Sequence, residues 1–128
     1  MQFYDLNIDF EPSWDTYNKV SEILEAIPRK FEPSRFDPDG TPSTWKYRIE
    51  VNQEKEGQAD FINKLLDILE PKVKALEAIG INKENILIWM CYEYYGQCSM
   101  CFSPQEMKRL GESGIPLNID CFSTDEIE

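Results

Sequence analysis

The sequence predicts an α+β domain, a two-layer sandwich in which a mostly antiparallel sheet carries helices on one face. Three observations predict it. Apolar and polar residues alternate with a period of two in 4–10 and 45–51, the signature of strands with one buried and one wet face. Apolar residues recur at helical spacing in 14–27 and 62–79, and the two patterns succeed one another in the order β-α-β-α-β-β-α-β.

In the first strand Tyr4, Leu6, Ile8 and Phe10 alternate with Asp5, Asn7 and Asp9. Pro12 and Ser13 then introduce a helix with Ser13 as N-cap and a stripe of Trp14, Tyr17, Val20, Leu24 and Ile27, which Pro28 should end. Residues 29–43 hold Pro33, Pro38, Pro42 and Gly40 and keep no period, so they read as a long surface loop. Such loops in compact domains are commonly functional or mobile, which makes this one a candidate contact region or a plain connector. Trp45, Tyr47, Ile49 and Val51 alternate with Lys46, Arg48 and Glu50 in a second strand that runs out into polar residues 52–57.

Ile62, Leu65, Leu66, Leu69, Val73, Leu76 and Ile79 form the second helical stripe, closed by Gly80 as a left-handed cap. Pro71 lacks an amide donor and disfavours helical geometry in Glu70, which predicts a kink or two abutting helices. The nearly continuous apolar run 86–95 reads as the central strand, with a hairpin through Gly96-Gln97 into a strand over 98–102. Ser103-Pro104-Gln105-Glu106 combines an N-cap, a proline at the first helical position and a reciprocal glutamate, the strongest local signal in the chain. That helix should end near Gly114, before a last strand in which Leu117, Ile119 and Cys121 alternate with Asn118 and Asp120. Residues 124–128 read as a frayed acidic tail.

A chain of 128 residues fits a single domain spanning 1–128, and folding at this size buries roughly two-thirds of the unfolded surface. The net charge of −11, from 24 acidic and 13 basic residues, argues against nucleic acid, whose binding rests on cationic side chains displacing counterions. It suits attraction of basic proteins, or simply solubility. The N-terminus lacks the basic and apolar segments of a signal peptide, and no apolar run reaches the roughly 20 residues of a membrane span, so a cytoplasmic protein is expected.

Histidine is absent. Its loss excludes Ser-His and Cys-His nucleophile activation and removes the side chain best suited to proton transfer near neutral pH. Cys98 and Cys101 have C-x-x-C spacing but precede the capped helix, and strand positions three apart face opposite ways, against a disulfide or a shared metal. With Cys91 and Cys121 they match no familiar zinc spacing, so free thiols and no cofactor are expected. Asp37-Pro38-Asp39-Gly40 reads as a turn in preference to a cation site. The remaining constellation is acidic: Asp5, Asp9, Glu50, Glu93 and Asp120 can share the helix-free sheet face, with Trp89 and Tyr95 as aromatic anchors of the same parity as Glu93. The plainer reading is dispersed solvated charge over a core tryptophan.

Glu32-Pro33-Ser34-Arg35, Leu69-Glu70-Pro71-Lys72 with Ala75-Leu76, and Phe102-Ser103-Pro104 with Met107, Leu110 and Gly114-Ile115-Pro116-Leu117 resemble the domain-of-unknown-function family numbered 4279. Those motifs are a loop, a helix junction and a cap, and they imply a fold with no catalytic residues. By analogy the resemblance implies an immunity protein that neutralises a basic cognate toxin domain in a bacterial toxin–immunity system. Sequence reasoning therefore expects an acidic, non-enzymatic binding protein. Its rivals are a small carboxylate- or cysteine-dependent enzyme or metal-binding domain, and a self-associating structural domain.

Overall fold

A computed structural model describes residues 2–35, 37–51, 60–97 and 99–123. The elements are β1 (Gln2–Asp9), α1 (Trp14–Leu24), β2 (Thr44–Val51), α2 (Phe61–Leu69), α3 (Val73–Ala78), β3 (Ile86–Tyr94), α4 (Pro104–Ser113) and β4 (Leu117–Ser123). Period-two alternation does what it predicts in β1: Tyr4, Leu6 and Ile8 are buried on the helical side, while Phe3, Asp5, Asn7 and Asp9 take the opposite face. Trp45 of β2 and Ile86, Ile88 and Met90 of β3 complete the sheet's share of the core. Val20 and Leu24 of α1, the Phe61, Ile62, Leu65, Leu66 and Leu69 stripe of α2, and Leu76 of α3 close over them. The Tyr4 and Phe61 rings stack at 3.8 Å, and the Trp45 indole N–H donates to Ser21 Oγ at 2.9 Å. The core thus gains apolar contact without stranding a donor.

The architecture is α+β with helices on one face, as expected, but the sheet is mixed. Its order is β2-β1-β3-β4; β1 pairs antiparallel with β2 and β3, whereas β4 runs parallel to β3. The expected hairpin is the reason for the difference. Cys98 lies outside the described residues, and 99–102 form no strand, because Phe102 turns inward to meet Phe61 edge-on at 6.0 Å and Met100 packs beside the core. The chain then crosses through α4 and returns along the free edge of β3 in the same direction, as a helical crossover requires. β3 is therefore interior, with β1 rather than a hairpin partner on one side.

Local signals govern the helix ends. Ser13 Oγ accepts from the Thr16 amide, and α1 stops when Glu25 enters the left-handed region at φ 52°, three residues before Pro28. The predicted stripe accordingly frays at its last member, since Ile27 is 89% exposed. A 3-10 turn at Glu70–Lys72 separates α2 from α3, so Pro71 produces abutting helices, and Gly80 takes φ 86° after them. At α4, Ser103 Oγ accepts from the Glu106 amide and Glu106 Oε1 from the Ser103 amide; Gly114 ends the helix at φ 72°. Arg109 ties α4 to α2 through Asp67 at 2.7 Å, Glu70 at 3.1 Å and Asn63 Oδ1 at 2.7 Å. These carboxylates hold its guanidinium cationic to well above its ordinary range. The polar stretch 52–57 and the tail 124–128 lie outside the described residues. No described helix is long and apolar enough to cross a membrane.

Candidate functional site

Every described helix packs on one side of the sheet, which leaves the other side to be built by side chains alone. Strand register arranges them in rows. Arg48, Asp5, Trp89 and Asn118 form one, and Glu50, Phe3, Cys91 and Asp120 the next. Lys46, Asn7 and Leu87 precede the first row, Thr44 and Asp9 lie beyond them, and Glu93 with Phe122 follows the second. Of the residues singled out in the sequence, Asp5, Asp9, Glu50, Trp89, Glu93 and Asp120 do share this face. Tyr95 does not: it sits one residue past β3, 77% exposed, where the strand that would have carried its parity has ended.

The shared face is less uniform than its parity suggests. Asp5 is 4% exposed and fully engaged, its two oxygens accepting from Arg48 Nε at 2.7 Å and Nη2 at 2.8 Å. This fork-to-carboxylate geometry fixes both groups and raises the Arg48 pKa, chiefly through the Asp5 hydrogen bonds. The same guanidinium lies over the Phe3 ring, 3.5 Å from its centroid, adding a cation–π contact. Asp5 is thus an internal counterion, and the outward charge belongs to Asp9, Glu50, Glu93 and Asp120. Asp9 accepts from the Thr44 hydroxyl at 2.8 Å.

Between those carboxylates runs an apolar strip of Phe3, Leu87, Trp89 and Cys91, each half-buried by its neighbours yet outside the core cluster. Burial pushes the Cys91 thiol up, and the nearby Asp120 carboxylate adds to the effect, so Cys91 stays protonated and behaves as a small apolar group. Asn7 Oδ1, in the row beside Leu87, is buried with no hydrogen-bond partner among the described residues. An orphan acceptor of this kind costs about 1–3 kcal/mol.

The cysteines do not converge. Cys91 faces the open side, whereas Cys121, paired with Tyr92, faces the helical side, and Cys101 is exposed in the crossover. Among the described residues no group of three or more Cys, Asp or Glu side chains is placed to hold a metal ion. Asp37-Pro38-Asp39-Gly40 is the turn its sequence predicts, with Asp39 at φ 53° and Gly40 at φ 72°.

A family model for a domain of unknown function (DUF4279) matches residues 18–123, most of the chain. The chain belongs to this family. No curated protein and no solved structure matches it. DUF4279 is described as a domain of unknown function, so the face itself carries the functional argument.

Sequence reasoning missed two features of this DUF4279 domain. The Asp5–Arg48 pair joins residues 43 positions apart, and only strand register brings them together. The other is the set of concavities between elements, two of which bear on binding. One, of about 260 Å³, lies between α3 and α4 over Leu69, Leu76, Ile86 and Ile115; the other, of about 400 Å³, lies between α1, the 29–43 loop and β2. Concavities form from elements distant in sequence, and no local pattern announces them.

Proposed function

We propose that this DUF4279 domain is a non-catalytic binding protein whose helix-free sheet face receives a basic protein, in the manner of an immunity protein occluding a toxin domain. The observation that carries the reading is the composition of that face. A half-buried strip centred on Trp89 is flanked by Asp9, Glu50, Glu93 and Asp120, an aromatic anchor in an acidic surround. Interfaces of this design take their affinity from desolvated aromatic anchors and their approach rate and selectivity from complementary charge. The overall charge of −11 extends the attraction beyond contact distance.

Self-association through the same face is disfavoured by the same charges, which two copies would bring into opposition. An enzymatic role would have to rest on carboxylates or cysteines, since the chain has no histidine.

The test is capture from a lysate of the native host on immobilised protein, wild type against a Trp89→Ala variant and an Asp9→Lys, Glu50→Lys, Asp120→Lys variant. The reading expects basic proteins on the wild-type column that both variants lose. Retention of the same proteins by the triple variant would sink it.

A further inference from the structure

The concavity of about 400 Å³ has the opposite electrostatic character to the sheet face. After α1 the chain doubles back along the outer edge of β2, where the Arg29 amide donates to the Lys46 carbonyl at 2.8 Å. This brings Arg29, Lys30 and Lys46 to the lining of one cleft of about 400 Å³ together with Tyr17 and Phe31, Lys46 joining it at the sheet edge from a register position on the helix-free face. Some cations of the described residues lie against carboxylates: Lys19 with Asp15, Arg48 with Asp5, Lys72 with Glu25, Lys108 with Glu112, and Arg109 with Asp67 and Glu70. Arg29, Lys30 and Lys46 make no such pair among the described residues, and neither do Lys64, Lys74 and Lys83, but the first three line one cleft. In a chain with 24 acidic residues, cations left without carboxylates in one concave place are not what solubility alone would produce.

The acidic lining does not neutralise them. Asp37 is turned into its own loop, accepting from the Ser34 amide at 2.8 Å, Ser34 Oγ at 3.0 Å and Ser43 Oγ at 3.1 Å. The amide bond from Ser34 leads the contacts that hold its carboxyl below the ordinary range, so it acts as an ionised clip that shapes the wall. Glu32 is exposed, and with three cations against two carboxylates the formal charge of the lining remains positive. The aromatic wall is braced: Trp14 meets Tyr17 and Phe31 edge-on at 5.4 and 5.2 Å, and the Tyr17 hydroxyl donates to the Arg29 carbonyl at 3.3 Å. The cations therefore border a preformed cleft whose volume lies within the range of small-ligand sites.

We propose that this cleft binds a phosphoryl group, held by Arg29, Lys30 and Lys46. Arg offers a planar fork and Lys a point charge, the two side chains that recognise phosphate oxygens through charge-assisted hydrogen bonds. A multiply charged anion also gains most from several cations at once, which a single carboxylate would not need. The surrounding negative field excludes anions from the rest of the surface and so confines binding to this place. The site uses none of the carboxylates of the sheet face and, of its three cations, shares only Lys46 with those rows, so loss of phosphate binding in R29Q tests it apart from that proposal.

The experiment is an amide-resolved NMR titration of the full chain with inorganic phosphate and then pyrophosphate at low ionic strength, repeated with R29Q, K46Q and the R29Q/K46Q pair. Arg29 is exposed and Lys46 lies at the cleft edge, so unchanged thermal melting confirms that the variants fold. Expected are saturable shifts at residues 29–31 and 44–46, tighter for pyrophosphate, each single variant weakening binding by about tenfold or more. K74Q, on the exposed side of α3, should bind as wild type does. Shifts that fail to saturate, that lie elsewhere, or that persist in the double variant would overturn the assignment.

Discussion

Replacing Arg48 with alanine removes the guanidinium that faces Asp5 and leaves a carboxylate that is 4% exposed without a counterion. Stranding one member of a buried pair costs about 3–5 kcal/mol when water cannot reach it. Here the Arg48 side chain is itself 19% exposed, so its removal opens a path for water, and we place the cost just below that range, at about 2–3 kcal/mol. Loss of the Phe3 contact adds about 0.5–1 kcal/mol. Asp5→Ala should cost less, about 1–2 kcal/mol, because the freed guanidinium can turn to solvent. The Asp5→Ala/Arg48→Ala double variant should lose less than the two singles together, and Asp5→Leu with Arg48→Met should come close to wild type, since an apolar pair of similar volume avoids desolvating two charges. Urea unfolding of wild type and these four variants at neutral pH gives the coupling energy directly. A loss below about 1 kcal/mol for R48A, or a coupling indistinguishable from zero, would refute the account of Asp5 as a buried counterion and return it to the outward-facing charges.

Three further outcomes are expected. Glu25→Gly should stabilise the protein by about 0.5–1 kcal/mol, since glycine accepts the φ of 52° at the end of α1 and the Lys72 contact it loses, at 3.6 Å and largely exposed, contributes little; thermal melting reads it. Ser103→Ala should cost about 1 kcal/mol by leaving the Glu106 amide uncapped, and amide exchange should accelerate in the first turn of α4 before it changes elsewhere. Asp37 contributes stability that is present above the ordinary carboxyl range and lost as pH falls through its lowered folded value. The melting difference between wild type and Asp37→Asn should therefore be largest near neutral pH and close at strongly acidic pH; a difference independent of pH would contradict the ionised clip.

The strand alternations, the stripe of α2, the Ser13 and Ser103 caps, the Pro71 break and the Gly80 and Gly114 ends were all legible in the sequence, because each is decided by residues within one or two turns of one another. Parity along the strands also placed Asp5, Asp9, Glu50, Trp89, Glu93 and Asp120 on one face before any pairing was known. Where reading failed, competition between distant groups decided. Met100 and Phe102 have the composition of a strand, yet Phe61 offered Phe102 a buried ring to meet, so the edge of β3 went to β4 and the sheet became mixed. Tyr95 lost its place with the hairpin.

By itself, then, the sequence determined an acidic α+β chain with one helix-covered and one open sheet face, since periodicity and capping are local properties. Tertiary structure decided which of the charges on that face still look outward and where cations collect against the overall charge. Arg48 neutralises Asp5 only because β2 lies beside β1 in one register, and Arg29 meets Lys46 only because the loop doubles back on the β2 edge. Pairing of charges depends on distance in space, which strand register and loop closure set and which no spacing along the chain encodes.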